Sequence, residues 1–384
     1  MVGDRPRLLF VVTEDWYFLS HRLALAHAAS RAGYRVAVAT APGPKVSQIT
    51  AAGFEHFALP SMTRGGTNPL FEALNVVELA RVFRRYRPDL VHLVAIKPTL
   101  YGSIAARLVA VPAVICAFAG MGYLFTGQSL KRQAMRMVAE AGYRYCICGR
   151  ENVSVILQNR DDRHFFVERG FAHAEQIHLI CGSGVDIARF SPPEAVAEGA
   201  PVVICHSRML WDKGIGELVE AARILRQRGR DFRLLLVGAS DPENPAAVPD
   251  QTLQNWHNEG VVEYLGRRDD IPELLARSHI ACLPSYREGA PLSLIEAAAC
   301  GLPIVSCDVP GCREVVEHRE NGLLVPKQQA AALAQALDQL LVDRALRQRM
   351  GRASRRIAEQ RLADHRVHDE TLALYRTALS RCRA

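Results

Sequence analysis

"PVVICHSRMLWDKGIGELVEAARILRQRGRDFRLLLVGAS", Pro201–Ser240, decides the fold. It opens on "VVIC", an apolar, β-branched run too short for a helix. "IGELVEAARILRQRG" then spaces its apolar residues three and four apart and stops at Gly229, as an amphipathic helix does. A second apolar run, "FRLLLVGAS", follows. Strand, helix and strand, with strands apolar throughout, mean a parallel sheet covered on both faces.

The same alternation runs in both directions. Upstream, "RLLFVVT", "YRVAVATA", "DLVHLVA" and "AVICAFAG" read as strands. Between them "SHRLALAHAASRAG", "NVVELARVFRRYRP" and "TLYGSIAARLVA" read as helices. Downstream, "VVEYLG", "IACLPS", "PIVSCD" and "GLLVP" are the strands. The pattern restarts after Pro192-Pro193, within the turn-rich "GSGVDIARFSPPEAVAEGAP". The expected α/β architecture is two tandem Rossmann-like, doubly wound parallel-sheet domains, residues 1–188 and 189–365. Residues 366–384 are expected to form a helix that packs back towards the first domain. Open sheets of this kind bind ligands at the carboxyl ends of their strands, so the chemistry is expected on loops facing a cleft between the domains.

The totals fit this reading. The chain has 384 residues, 49% of them hydrophobic and 23% charged, the range of a globular protein with two ordinary domains. Its net charge of +7 is uneven: residues 1–190 hold 22 Lys and Arg against 14 Asp and Glu, and residues 191–384 hold 25 against 26. A basic first half points to an anionic partner there, or to a plain solvated basic surface. Ten scattered cysteines lack metal-site spacing and sit in apolar contexts, which reads as buried thiols in a reducing cytoplasm. No signal peptide is read at the N-terminus. The uncharged stretch Leu108–Leu130 is long enough to span a bilayer, yet Pro112, Gly120, Gly122 and Gly127 interrupt it. It is expected to hold a buried strand instead.

Chemistry concentrates in two places. In "CHSRMLWDKGIGEL", Arg208 lies at a strand end and Lys213 at a helix start, where free N–H groups and the helix dipole favour anions. Together they suit a diphosphate; the alternative is an ordinary charged βα loop. In "PSYREGAPLSLIEAAACGLPIVSCDVPGCREVV", Glu288 precedes a Gly-Ala-Pro turn. Pro291 suits the first turn of a helix, and Glu296 falls in its first turns. Gly289 lets the backbone approach a ligand closely. Two carboxylates can hold two hydroxyl-bearing parts of one extended ligand; the alternative is a capped helix with a surface glutamate. A third, weaker candidate is the loop after Gly266, whose edge can read a flat base.

At this point the sequence resembles a family. "SRMLWDKG", "YLGRRDDIPELLARSHIACLPS", "REGAPLSLIEAAACGLPIV" and "GCREVVEHRENGLLVP" look like the retaining GT-B glycosyltransferases of the bacterial E-x7-E, family-4-like group; Glu288 and Glu296 have that spacing. "GSGVD", Gly182–Asp186, continues the likeness. In the first half "FLSHRLALAHAASRAGYRVAVAT", "IKPTLYGSIAAR" and "FAGMGYLFTG" resemble a subgroup that extends undecaprenyl-diphosphate-linked saccharides. The resemblance implies that Arg208 and Lys213 bind the donor diphosphate, Glu288 contacts the transferred sugar and Glu296 holds the ribose. Gly289, Ala290, Pro291 and Leu292 would frame the sugar and phosphate, and Arg267 would lie against the base. It makes Glu288, Lys213 and Arg208 the catalytic set and uridine the expected nucleoside, with guanosine open.

Two departures mark the first domain. The Gly-Gly loop of many relatives is replaced by "TEDWYFLSHR", and a histidine loop by "AFAGMGY". His21, Lys97 and Tyr123 are the acceptor-side candidates. No D-x-D sequence occurs, so metal-independent transfer with no cofactor is the expectation, by same-face attack or double displacement. The expected partners are a nucleotide-sugar, a lipid-linked saccharide and an anionic membrane surface, touched by "SLKRQAMRMVAEAGYRY" at the inner face of the cytoplasmic membrane. Rival readings are a GT-B nucleotide-sugar 2-epimerase and a binding module without turnover. No G-x-G-x-x-G follows a strand, against a dinucleotide oxidoreductase, and no nucleic-acid recognition motif appears.

Overall fold

The structure, a computed structural model, describes residues 5–63, 69–120, 130–194, 199–242 and 244–382. The chain forms two compact units, Met1–Ser183 with Val367–Ala384, and Gly184–Arg366.

The first unit is built on a seven-stranded sheet: β1 (Arg7–Val12), β2 (Arg35–Thr40), β3 (Glu55–Ala58), β4 (Leu90–Val94), β5 (Ala113–Phe118), β6 (Val153–Leu157) and β7 (Ile177–Leu179). The strand order is β3-β2-β1-β4-β5-β6-β7, with every pair parallel. Alternation along the strands divides the core between two faces. Leu9, Val11, Val91, Leu93, Val114 and Cys116 pack on one side with Leu79, Phe83 and Tyr143 from its helices. Leu8, Phe10, Leu90, Val94 and Ile115 pack on the other.

The last helix, Asp364–Arg381, sends Val367, Leu372, Tyr375 and Ala378 into that second face. Tyr375 Oη is hydrogen-bonded to His92 Nδ1 on β4, and the imidazole stacks on Phe10 at 5.1 Å. Complete burial, and then the charge of Arg22, hold His92 well below the usual histidine range, so it is neutral. The Tyr375 hydroxyl and His92 Nδ1 satisfy each other, while the buried His92 Nε2 has no hydrogen-bond partner among the described residues.

One local reading is corrected here. "TEDWYFLSHR" is not a loop, and the helix that follows does not begin at Ser20. A helix runs Asp15–His21 and a second Leu23–Arg31, broken at Arg22. The Asp15 carboxylate accepts hydrogen bonds from the backbone N–H of Trp16 at 2.7 Å and of Lys45 at 2.6 Å. It thereby satisfies a first-turn donor that would otherwise be unpaired. His21 therefore ends a helix rather than starting one.

The second unit carries a six-stranded sheet: β8 (Val202–His206), β9 (Arg233–Val237), β10 (Glu263–Gly266), β11 (Ile280–Leu283), β12 (Ile304–Cys307) and β13 (Gly322–Val325). Its order is β10-β9-β8-β11-β12-β13, again all parallel. The helix read from the opening stretch spans Ile215–Gln227 and buries Ile215, Leu218, Val219, Ala222 and Leu225. The uncharged segment after Leu108 supplies β5, and among the described residues no helix is long and apolar enough to cross a membrane.

The Tyr375–His92 bond joins residues 283 apart in sequence. Tyr375→Phe removes the phenol and leaves a buried imidazole nitrogen without its partner, a cost of about 1–3 kcal/mol. We expect the calorimetric unfolding transition to fall by several degrees; an unchanged transition would show that the pair contributes nothing.

Candidate functional site

In the second unit, β8 lies hydrogen-bonded between β9 and β11, with Val203 and Ile204 in register with Ile280 and Ala281. The strand order reverses there, so the chains leaving β8 and β11 part company and open a crevice at the carboxyl end of the sheet. The two loops are stitched together across it. Tyr286 N–H donates to Asp212 O at 2.9 Å, and Ser285 Oγ to the same oxygen at 3.2 Å. Tyr286 Oη donates to Glu217 at 2.6 Å; burial, and then that carboxylate, push the phenol above the usual tyrosine range. Gly214 closes the β8 loop in a left-handed conformation, and any Cβ there would overlap the Pro284 carbonyl.

Three charged or polar side chains of the β8 loop each meet a carboxylate. Lys213 Nζ is paired with Glu288 Oε1, and the two side chains are only 17% and 12% exposed. Arg208 donates to Asp241 at 3.0 Å from the loop after β9. His206, the last residue of β8, is 2.9 Å from Glu296 Oε2. Glu296 rides on the helix Leu292–Ala299, which follows Pro291 and buries Leu294, Ile295 and Ala297–Ala299 against the sheet. The turn before it is fixed from below: Glu288 N–H donates to Pro310 O at 3.2 Å. A Cβ on Gly311, whose φ is 81°, would lie 2.5 Å from the carbonyl oxygens of both Glu288 and Gly289.

Of the residues singled out in the sequence, Arg208, Lys213, Glu288, Gly289, Ala290, Pro291, Leu292 and Glu296 share the loops and helix start at this switch point. Arg267 follows the outermost strand, β10, and is exposed. In the first unit His21 stacks on Tyr17 with ring centroids 4.2 Å apart. Lys97 begins the helix after β4, donating to Thr63 O at 2.9 Å and pairing with Glu72 at 2.7 Å. Tyr123 lies outside the described residues. Among the described residues no group of three or more His, Cys, Asp or Glu could hold a metal ion. The sequence reading missed His206, Asp241 and Gly311. A strand-end histidine next to Ser207-Arg208 and an aspartate just past "LLLVGAS" were the available signals.

The chain is similar to known proteins in sequence and in fold. Residues 186–357 match the family model described as glycosyl transferases group 1, and residues 7–146 the one described as glycosyl transferase 4-like. The N,N'-diacetylbacillosaminyl-diphospho-undecaprenol alpha-1,3-N-acetylgalactosaminyltransferase of Campylobacter jejuni is 31% identical, over 74% of this chain and 76% of its own. The UDP-Gal:alpha-D-GlcNAc-diphosphoundecaprenol alpha-1,3-galactosyltransferase of Escherichia coli is 24% identical over 76% of each chain. Among solved structures, sucrose-phosphate synthase from Thermosynechococcus elongatus aligns with a TM-score of 0.80 at 21% identity, covering 98% of this chain and 100% of that one. Anabaena HepE in complex with UDP-glucose aligns with a TM-score of 0.76 at 22% identity, covering 97% and 99%.

The Lys213–Glu288 pair makes a testable unit. Lys213→Met and Glu288→Gln each weaken the pairing of the group that remains in a half-closed site and should each cost about 1–3 kcal/mol of stability. The double variant should lose less than the sum of the two by about 1 kcal/mol or more, measured as a double-mutant cycle in urea. Strict additivity would mean that the two charges do not interact.

Proposed function

The chain belongs to the group 1, GT4-like glycosyltransferases of GT-B fold, and on that premise we propose that it moves a sugar, a hexose or N-acetylhexosamine, from a UDP-sugar to a saccharide carried on undecaprenyl diphosphate. Transfer keeps the anomeric configuration and serves bacterial surface-glycan assembly. The observation that carries the reading is the pairing of Lys213, on the same loop as Arg208, with Glu288, in the loop just before the helix Leu292–Ala299 that holds Glu296. The Campylobacter jejuni and Escherichia coli relatives, named for diphospho-undecaprenol acceptors, support the acceptor class. The bound UDP-glucose of Anabaena HepE supports the donor class.

In the proposed reaction the anomeric carbon gives up its bond to the diphosphate and gains one to an acceptor hydroxyl, which loses its proton. The transition state resembles an oxocarbenium ion with negative charge growing on the leaving phosphate. Arg208 and Lys213 meet that charge, and their two cations are the basis for proposing transfer without a metal ion. Glu288 holds hydroxyls of the sugar being moved, and its existing contact with Lys213 keeps carboxylate and ammonium side by side before the donor arrives. Glu296 takes the ribose, Arg267 the base edge, and the N–H groups of Gly289, Ala290 and Leu292 the sugar and phosphate.

Attachment to the membrane surface is assigned to the first unit. Leu108, Met137 and Tyr145 are exposed large apolar side chains, at 65%, 64% and 64%. Arg107 lies over the Tyr145 ring at 3.8 Å. Arg136, Arg144 and Arg169 share one carboxylate, Glu140, at 3.5–3.7 Å, leaving an excess of positive charge beside the apolar groups. This combination suits the headgroup region of an anionic leaflet, here the inner face of the cytoplasmic membrane.

Two experiments test the reading. With a panel of UDP-, GDP- and ADP-sugars, a UDP-sugar should raise the melting temperature, and Arg208→Ala should weaken that binding roughly tenfold or more. Glu288→Ala should cut transfer to a polyprenyl-diphosphate saccharide by about 100-fold or more. Epimerised donor in the absence of acceptor would replace transfer by epimerisation, and no response to any nucleotide-sugar would refute the proposal. Separately, vesicles containing phosphatidylglycerol should carry the protein down at low salt and release it at high salt, and Arg144→Glu with Tyr145→Ser should abolish sedimentation. Equal recovery on neutral vesicles would overturn the membrane assignment.

A further inference from the structure

The carboxylate of Glu296 is mostly withdrawn from solvent, with its side chain 17% exposed. Among the described residues its one hydrogen bond runs between Oε2 and His206 Nε2, at 2.9 Å. The histidine side chain is itself 10% exposed and stands at the carboxyl end of β8, held by the pairing of His206 with Val237 on β9. The strand pairing fixes the point from which the imidazole projects, and its low exposure leaves it little room to turn. A glutamate, by contrast, has three side-chain torsions and loses substantial freedom when it is fixed.

We propose that His206 is a positioning residue for nucleotide recognition: it locks the rotamer of Glu296 by binding Oε2, so that the carboxylate presents its remaining lone pairs as a fixed pair of acceptors for the ribose diol. The inference rests on the donor reading, in which Glu296 holds the ribose. It adds a mechanism for selecting ribose over deoxyribose. A carboxylate anchored on one oxygen cannot turn to find another partner when a hydroxyl is missing, so one of its lone pairs is left unsatisfied in a half-closed site. Discrimination is strong where a site's own polar groups stay unsatisfied with the wrong ligand. A mobile carboxylate would relax into water and discriminate little. Neutral histidine suffices for this task, with the proton on Nε2 directed at the carboxylate.

The test compares UDP with 2'-deoxy-UDP by calorimetric titration of the full chain and its variants. Wild type should prefer UDP roughly ten- to a hundredfold, the range of one hydrogen bond to a charged group. His206→Leu should bring the ratio close to one while the protein stays folded by circular dichroism. His206→Gln should restore most of it, because its amide nitrogen falls near the place of Nε2. His206→Asn is a second, milder variant whose amide falls near the place of Nδ1 and cannot reach Glu296, so it should behave like the leucine variant. A purely structural link between β8 and the helix would lower stability in all three and leave the ratio alone. If Glu296→Ala erases the preference but His206→Leu and His206→Asn retain it, the inference about His206 is overturned and the donor reading stands. If wild type shows no preference, or Glu296→Ala keeps it, the ribose assignment of Glu296 fails and the inference falls with it.

Discussion

The position of β8, hydrogen-bonded in parallel to β9 on one side and β11 on the other, is the constraint on which the second unit's site depends. A strand at the reversal of a doubly wound sheet sends its following chain one way while its neighbour's goes the other. That divergence opens the crevice, and Arg208, Lys213, Glu288 and Glu296 are carried by the backbone that leaves β8 and β11. The turns must be tight for the loops to meet. At Gly214 and Gly311 neighbouring carbonyls come so near that no side chain fits. The glycines are therefore a consequence of the strand order, and the carboxylate and ammonium they bring together are a consequence of the glycines.

Electrostatics then sets the character of the site. Lys213, Arg208 and His206 all belong to the strand end and loop of β8, and each faces a carboxylate from a different segment: Glu288, Asp241 and Glu296. Charges removed from water are tolerated when paired, and one that loses its partner is costly. The pairing aims the groups before any ligand arrives, which reduces the ordering that binding would otherwise require. In the proposed function a donor diphosphate would bring negative charge to Arg208 and Lys213, which a neutral sugar alone would not.

The first unit uses the same sheet order for a different surface. After β1 the chain turns directly into the helix Asp15–His21, where Asp15 ties down the backbone of Lys45 beyond β2. Lys97 beyond β4 is likewise engaged by Glu72 and Thr63 O. The carboxyl ends of these strands thus carry side chains already tied to neighbours, in place of a glycine loop. The basic excess of this half is displayed elsewhere, around Glu140 and Tyr145 on and beside the helix Leu130–Cys146.

Sequence alone determined the alternation of strands and helices, the parallel sheets, the restart after Pro192-Pro193, and the helix that begins beside Pro291 with Glu296 in its early turns. These follow from period, turn residues and backbone preference, which act over a few neighbours and are written locally. The same local grammar misjudged "TEDWYFLSHR", because the donor to the Asp15 carboxylate that helps secure the helix comes from Lys45, thirty positions on. Which group each charge would face was decided only by tertiary structure. Lys213 and Glu288 are 75 residues apart, His206 and Glu296 are 90, and His92 and Tyr375 are 283. No local preference encodes such a partner. It exists because strand order brings distant segments together, and because a polar group buried there is stabilised when another segment supplies its complement.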